Sequence, residues 1–149
     1  MSWQTPKTNW KSEFDLDGNY IGDWFGASDF NRIKNNLEYL KDLANTMYPA
    51  FTINDLGSDR TYGDYGPYAD EINSLEENLY TINENTTKKP EYQNYPTYSE
   101  NGIIMDAEEL NRIESATLDI YNILNNQYIG RRMLTWRLGA PNSGYLHGM

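Results

Sequence analysis

The segment SDFNRIKNNLEYLKDLANTMY, residues 28–48, decides the fold class. Its apolar residues recur at alternating steps of three and four, which places them on one face of an α-helix. They are Phe30, Ile33, Leu37, Leu40, Ala44 and Met47. Ser28 precedes the series as a good N-cap, and Pro49 follows it as a helix breaker. The segment therefore predicts a helix over 28–48, about 30 Å long at 1.5 Å per residue.

Two further segments have the same periodicity. A shorter helix is predicted over 68–82, with the stripe Ile72, Leu75, Leu79 and Ile82. A third begins at Asp106, whose spacing to Glu109 is a capping-box variant, and should end near Gly130. Its stripe is Leu110, Ile113, Thr117, Ile120, Leu124 and Gln127. The fold class is all-α or mainly α: a small helical bundle of two long similar helices plus a shorter one.

The two long helices begin with similar sequences. ASDFNRI at 27–33 aligns with AEELNRI at 107–113, and both contain Asn-Arg-Ile at the same phase of the apolar stripe. Core packing accounts for the isoleucines but not for Arg32 and Arg112. In one interpretation each arginine pairs with an acid in its own helix, Asp29 for Arg32 and Glu108 or Glu109 for Arg112. In the other, both make a bidentate contact to another helix or subunit.

A single domain over 1–149 is expected, with an aromatic N-terminal arm at 1–26, a helical core with long loops at 27–130, and a C-terminal arm at 131–149. About 20 residues, rich in Tyr, Gly, Pro and Asn, separate successive helices, and loops of that length are usually functional or disordered. Tyrosine supplies contact area at low rotamer cost, so we expect these loops to become ordered against neighbouring subunits. The candidate interface residues are Arg32, Arg112, Asn31, Asn111, Trp3, Trp10, Trp24, Tyr62, Tyr65, Tyr68, Tyr92, Tyr95 and Trp136.

Composition narrows the function classes. A formal charge of −10 with scattered basic residues argues against nucleic acid, which needs clustered Lys and Arg. No apolar run approaches the roughly 20 residues that span a bilayer. The chain has no cysteine and one histidine, His147, near its end, so thiol catalysis and His-based metal sites are not expected. The sequence predicts a non-enzymatic protein with no cofactor and no metal.

Residues 13–24 imitate part of a calcium-binding EF-hand loop. Glu13, Asp15 and Asp17 stand at alternate positions ahead of Gly18, but Trp24 occupies the position of the bidentate glutamate. A hairpin turn at residues 17–19 is the plainer interpretation, with a weak calcium site left open.

A rival function comes from the abundance of Tyr, Trp, Asn and Asp. These residue types stack on sugars and hydrogen-bond to them, so a carbohydrate-binding, receptor-recognising module of a tail fibre is the alternative. Such binding faces are usually displayed on a large rigid scaffold, whereas the predicted scaffold here is a few helices.

The N-terminal third resembles a known group of proteins. PKTNW at 6–10, Trp24-Phe25, and SDFNRIKNNLEYL at 28–40 are similar to the opening of small structural proteins from phages and prophages of Gram-positive bacteria. The resemblance implies a component of a tail, baseplate, collar or fibre attachment that assembles with other particle proteins in several copies. It implies a virion location after assembly in the host cytoplasm, in keeping with the lack of a signal-peptide pattern at residue 1.

Overall fold

A computed structural model describes residues 3–61, 68–99 and 106–138, with the backbone alone for 135–138. Within these ranges the chain is mainly helical, as predicted. The elements are α1 (Ala27–Ala44), α2 (Ala69–Asn85), a 3-10 turn (Pro90–Tyr92) and α3 (Ala107–Leu138). The described residues form no strand; one antiparallel bridge joins Phe14 to Tyr20.

The predicted apolar stripe of α1 is confirmed from Phe30 to Ala44, but the helix is shorter than 28–48, so Met47 lies beyond its end. It begins after Gly26 rather than at Ser28, because the Asp29 carboxylate accepts the Gly26 N–H at 3.0 Å. It ends at Ala44 because the next side chains compete for backbone groups. Thr46 Oγ1 donates to the Leu43 carbonyl at 2.6 Å, and Asn45 bonds to the backbone of Phe51.

The start of α3 agrees with the sequence, and its end does not. Asp106 Oδ1 accepts the Glu109 N–H at 3.0 Å, so the predicted cap is confirmed. The prediction that the helix stops near Gly130 is wrong, since it continues to Leu138. Glycine ends a helix by adopting a positive φ, which Gly130 does not. Its cost within a helix, about 0.5–1 kcal/mol, is small enough for the good helix formers after it to outweigh. Residues 131–138 of the expected C-terminal arm are therefore helical.

The second helix is a third copy of the repeat seen in α1 and α3. ADEINSL at 69–75 has the same alanine, acidic residue, apolar residue and asparagine at matching positions. Sequence comparison missed this copy because Ser74 replaces the arginine. The helix also runs to Asn85, three residues beyond the predicted end.

The three helices share one core and run in the same direction. Arg32 pairs with Glu114 near the starts of α1 and α3, and the Tyr48 hydroxyl donates to Gln127 at 2.6 Å near the end of α1. For α2, Glu76 pairs with Arg112 of α3, and further along, Asn83 donates to the carbonyl of Lys89, which pairs with Asp119 of α3. A chain that leaves one helix must therefore return about 27 Å to begin the next, which requires at least eight extended residues. This geometry accounts for the long connectors. The core residues are Trp10, Phe30, Ile33, Leu37, Leu40, Ala44, Leu75, Leu79, Ile82, Leu110, Ile113, Ala116, Ile120 and Leu124.

The predicted turn at residues 17–19 is confirmed. Gly18 has φ +87°, and backbone hydrogen bonds join Asp15 to Asn19 and Ile21 to Glu13. These residues form a small hairpin ahead of α1.

Candidate functional site

The most distinctive polar feature of the molecule is a set of asparagine clamps. In each clamp, Oδ1 of the asparagine accepts the N–H, and Nδ2 donates to the C=O, of one residue in a segment without regular structure. The described residues contain seven: Asn31 on Arg60, Asn36 on Gln4, Asn45 on Phe51, Asn73 on Tyr98, Asn78 on Asn54, Asn83 on Lys89 and Asn111 on Trp10. Each clamp satisfies one backbone donor and one backbone acceptor of a segment that has no helix or strand partner.

Three stretches outside the α-helices, 4–10, 54–60 and 92–98, are here called the return segments. The first is clamped at Gln4 by α1 and at Trp10 by α3. The second is clamped at Asn54 by α2 and at Arg60 by α1. Each of these two segments therefore lies across a pair of helices and joins them through hydrogen bonds.

The third return segment completes the arrangement with one change. Tyr98 is clamped by Asn73 of α2. The α3 residue that matches Asn36 and Asn78 is Ala116, which has no amide to form a clamp. The Tyr92 hydroxyl instead donates to Asp119 of α3 at 2.7 Å. The three helix pairs are thus bridged in cyclic order, which gives the chain an approximate three-fold internal repeat.

Arg32 makes both of the contacts that the sequence left as alternatives. Its Nη1 donates to Asp29 at 2.9 Å in the same helix. Its Nε and Nη2 donate to the two oxygens of Glu114 in α3 at 2.7 and 2.8 Å, a bidentate pair. Glu114 is 1% exposed and also accepts the Trp10 indole N–H at 2.5 Å and the Lys7 N–H at 3.0 Å. Removing one partner of such a buried pair typically costs about 3–5 kcal/mol.

Arg112 makes the corresponding pair of contacts with α2, but its contact to the other helix is not bidentate: its Nη2 donates to one oxygen of Glu76, and its Nε donates to Glu109. It pairs with Glu109 in its own helix and with the buried Glu76 of α2. Burial raises the pKa of Glu76, and the Arg112 charge opposes that rise. Tyr98 lies beside Glu76, as Trp10 lies beside Glu114, and burial together with the Glu76 charge raises the pKa of its hydroxyl. The Tyr98 hydroxyl and Glu76 Oε1 have no hydrogen-bond partner among the described residues.

The matching position in α1 carries the opposite charge. Lys34, 3% exposed, stands where the other helices have Glu76 and Glu114. Its ammonium donates to the Gly57 carbonyl at 2.7 Å and to Asp59 at 2.9 Å. Hydrogen bonds from Asn35 and Lys34 lower the pKa of Asp59. All three buried charges are therefore compensated within the chain.

The remaining candidate interface residues fall into three groups. Trp3 stacks on Tyr121 with ring centroids 3.9 Å apart, and Tyr95 contacts Tyr80 at 5.7 Å. Trp24 and Tyr68 are 76% and 60% exposed, so both can meet a partner. Tyr62 and Tyr65 lie outside the described residues, as does the side chain of Trp136, whose backbone is in α3.

We expected the connecting loops to be ordered by neighbouring subunits, but several of their residues are held by asparagines of the same chain. Residues 51, 54 and 60 of the first connector, and 89 and 98 of the second, are clamped by this chain's own helices. A sequence signal for this existed: α2 carries asparagine at every fifth position, Asn73, Asn78 and Asn83, and α1 repeats the interval at Asn31 and Asn36.

The partial calcium-loop pattern corresponds to an acidic turn. Asp15 Oδ1 accepts the N–H groups of Asp17 and Asn19 at 2.9 and 2.8 Å, and these bonds lower the pKa of its carboxyl. Over 3–61, 68–99 and 106–138, no group of three or more His, Cys, Asp or Glu residues could hold a metal ion. In the same ranges, no helix has the length and apolar character needed to cross a membrane.

Comparison of the chain with protein-family models, with curated proteins and with solved structures gives no match in any of the three.

Proposed function

We propose that this chain is a non-enzymatic structural component of a phage tail or tail-like particle, a baseplate, collar or fibre-attachment protein that acts by protein–protein assembly. The asparagine clamps carry the proposal. Seven of the described asparagine side chains, which could otherwise bind a ligand, hold connectors against the helices. A catalytic or binding protein usually keeps such groups convergent in a pocket.

The clamps also suit a particle component mechanically. They turn connectors without regular structure into fixed parts of one body, so the chain offers a preformed shape to its neighbours. A preformed surface loses little conformational entropy on assembly. We further infer a small helical bundle with aromatic arms, present in several copies beside other particle proteins, assembled in the host cytoplasm and located in the virion. The resemblance of residues 6–40 to phage structural proteins supports this placement.

Peptide mass spectrometry of gradient-purified particles from the source culture tests the proposal. The expected result is this chain at a fixed ratio to the major tail protein, unchanged after a high-salt wash. A host cytosolic protein of similar abundance in the lysate is the control for adherent contamination. Recovery of the chain only in the soluble lysate would overturn the proposal.

One observation favours the alternative, a carbohydrate-binding module of a tail fibre. An open groove between the C-terminal parts of α1 and α3 is lined by Tyr39, Tyr128, Asp42 and Asn125, together with Leu43 and Thr46. Two aromatic rings beside a carboxylate and an amide suit a sugar ring. Binding of host cell-wall glycans that is lost in Tyr128→Ala and retained in Tyr68→Ala would favour this alternative over the structural proposal.

A further inference from the structure

Two large apolar patches are exposed at separate places on the chain. The hairpin patch consists of Phe14, Leu16, Ile21 and Trp24, whose exposed fractions are 65%, 107%, 55% and 76%. The helix-end patch consists of Ile129, Met133 and Leu134 on α3, with exposed fractions of 47%, 62% and 57%. Groups of exposed large apolar side chains of this kind often mark an interaction site.

The patches lie at opposite ends of the molecule. The hairpin patch follows Trp10, which is clamped by Asn111 in the first turns of α3. The helix-end patch surrounds Arg131, which donates to the Met47 carbonyl just beyond the end of α1. From Arg131, α3 continues for seven more residues. Asn111 and Ile129 are 18 residues apart in α3, about 27 Å along a rigid helix, so one chain cannot bring its own two patches together.

The charges around the two patches are opposite. The hairpin carries Glu13, Asp15, Asp17 and Asp23. Two lysines lie nearby, Lys11 and Lys7, and Lys7 pairs with Asp23 at 3.4 Å, so the acidic groups remain in excess. The helix-end patch contains Arg131 and Arg132, and α3 has no acidic residue after Asp119. Complementary charge steers two surfaces into register and suppresses contact between like ends.

From this complementarity we infer that the helix-end patch of one copy docks onto the hairpin patch of a second copy of this chain, head to tail. The inference stands independently of the particle assignment. A head-to-tail contact uses different surfaces on its two sides and leaves one of each unoccupied. It therefore propagates into a ring or a filament and does not close as a dimer.

Sedimentation velocity on the full chain, over a concentration series at low and high salt, tests the inference. The expected result is a species of at least twice the 17.3 kDa monomer mass that shrinks as salt rises. Leu16→Lys with Ile21→Lys blocks the hairpin side, and Met133→Glu with Leu134→Glu blocks the helix side. Each double variant should be monomeric alone, while Tyr68→Lys, at another exposed ring, should associate like the parent.

Mixing the two blocked variants decides the geometry. Each retains one intact patch, so an equimolar mixture should form a dimer that does not grow further. Unchanged thermal unfolding of both variants confirms that they fold. A parent chain that stays monomeric at every concentration, a blocked variant that still associates, or a mixture that forms no dimer would each overturn the inference.

Discussion

The Asn78 clamp gives the sharpest test of how the connectors are held. Asn78 is 2% exposed, and its amide accepts from the Asn54 N–H at 2.7 Å and donates to the Asn54 carbonyl at 3.0 Å. Asn78→Ala removes both bonds, each worth about 0.5–1.5 kcal/mol net. Alanine returns about 0.5 kcal/mol through its higher helix propensity. The free energy of unfolding should therefore fall by about 0.5–2.5 kcal/mol.

Urea unfolding followed by circular dichroism at 222 nm measures this change. Asn122→Ala is the matched control, because Asn122 is an exposed helical asparagine of α3. It should leave stability unchanged or raise it by about 0.5 kcal/mol. If Asn78→Ala unfolds at the same urea concentration as Asn122→Ala, the clamps do not hold the connectors and the reasoning fails.

Three further predictions concern single groups. Trp10→Phe keeps a ring in the core but removes the indole bond to Glu114, and should lower the free energy of unfolding by about 1.5–3 kcal/mol. Gly130→Ala should slow amide exchange over 131–138, equivalent to about 0.5–1 kcal/mol, because Gly130 lies within a helix and has open space around it. Burial raises the pKa of Glu76 above its unfolded value of 4.5, so the folded chain favours the protonated carboxyl. The stability that Glu76 contributes is therefore complete below pH 4.5 and is lost as pH rises through the folded-state pKa. The stability difference between the parent and Glu76→Gln, from urea titrations at pH 4 and pH 7, should therefore shift in favour of the variant at pH 7.

Each has a control. Trp24→Phe, at a 76% exposed ring, should not change stability, and equal effects at the two tryptophans would contradict the role given to the indole bond. Gly57→Ala should destabilise, because Gly57 has φ +81°; destabilisation by Gly130→Ala would instead mean that α3 ends there. If the stability difference between the parent and Glu76→Gln is the same at pH 4 and pH 7, the pKa of Glu76 is not raised in the folded chain.

The helices could be predicted because their apolar residues repeat with helical periodicity. The stripe residues of α1 from Phe30 to Ala44 are all buried. The four stripe residues of α2, from Ile72 to Ile82, are buried as well. The Asp106 cap and the turn at Gly18 were predictable because they depend on local backbone chemistry. The end of α3 was not, since a glycine's φ depends on context and not on its identity.

The site was harder to predict because it depends on contacts between distant parts of the chain. The Asn-Arg-Ile repeat drew attention to Arg32 and Arg112, but their partners Glu114 and Glu76 lie on other helices. Nothing in a linear sequence states that three helices run parallel, so the return of each connector along a helix pair could not be derived. The five-residue interval of asparagines was a visible signal whose meaning depends on that topology.

Amide hydrogen exchange of the isolated chain tests the central claim, that its own side chains hold the connectors. Seven amides outside regular structure donate to asparagine side chains: Gln4, Trp10, Phe51, Asn54, Arg60, Lys89 and Tyr98. The account predicts that these amides are protected in the monomer, while connector amides that donate no hydrogen bond within the chain exchange freely. Exchange of all seven at the rate of an unstructured chain would contradict it.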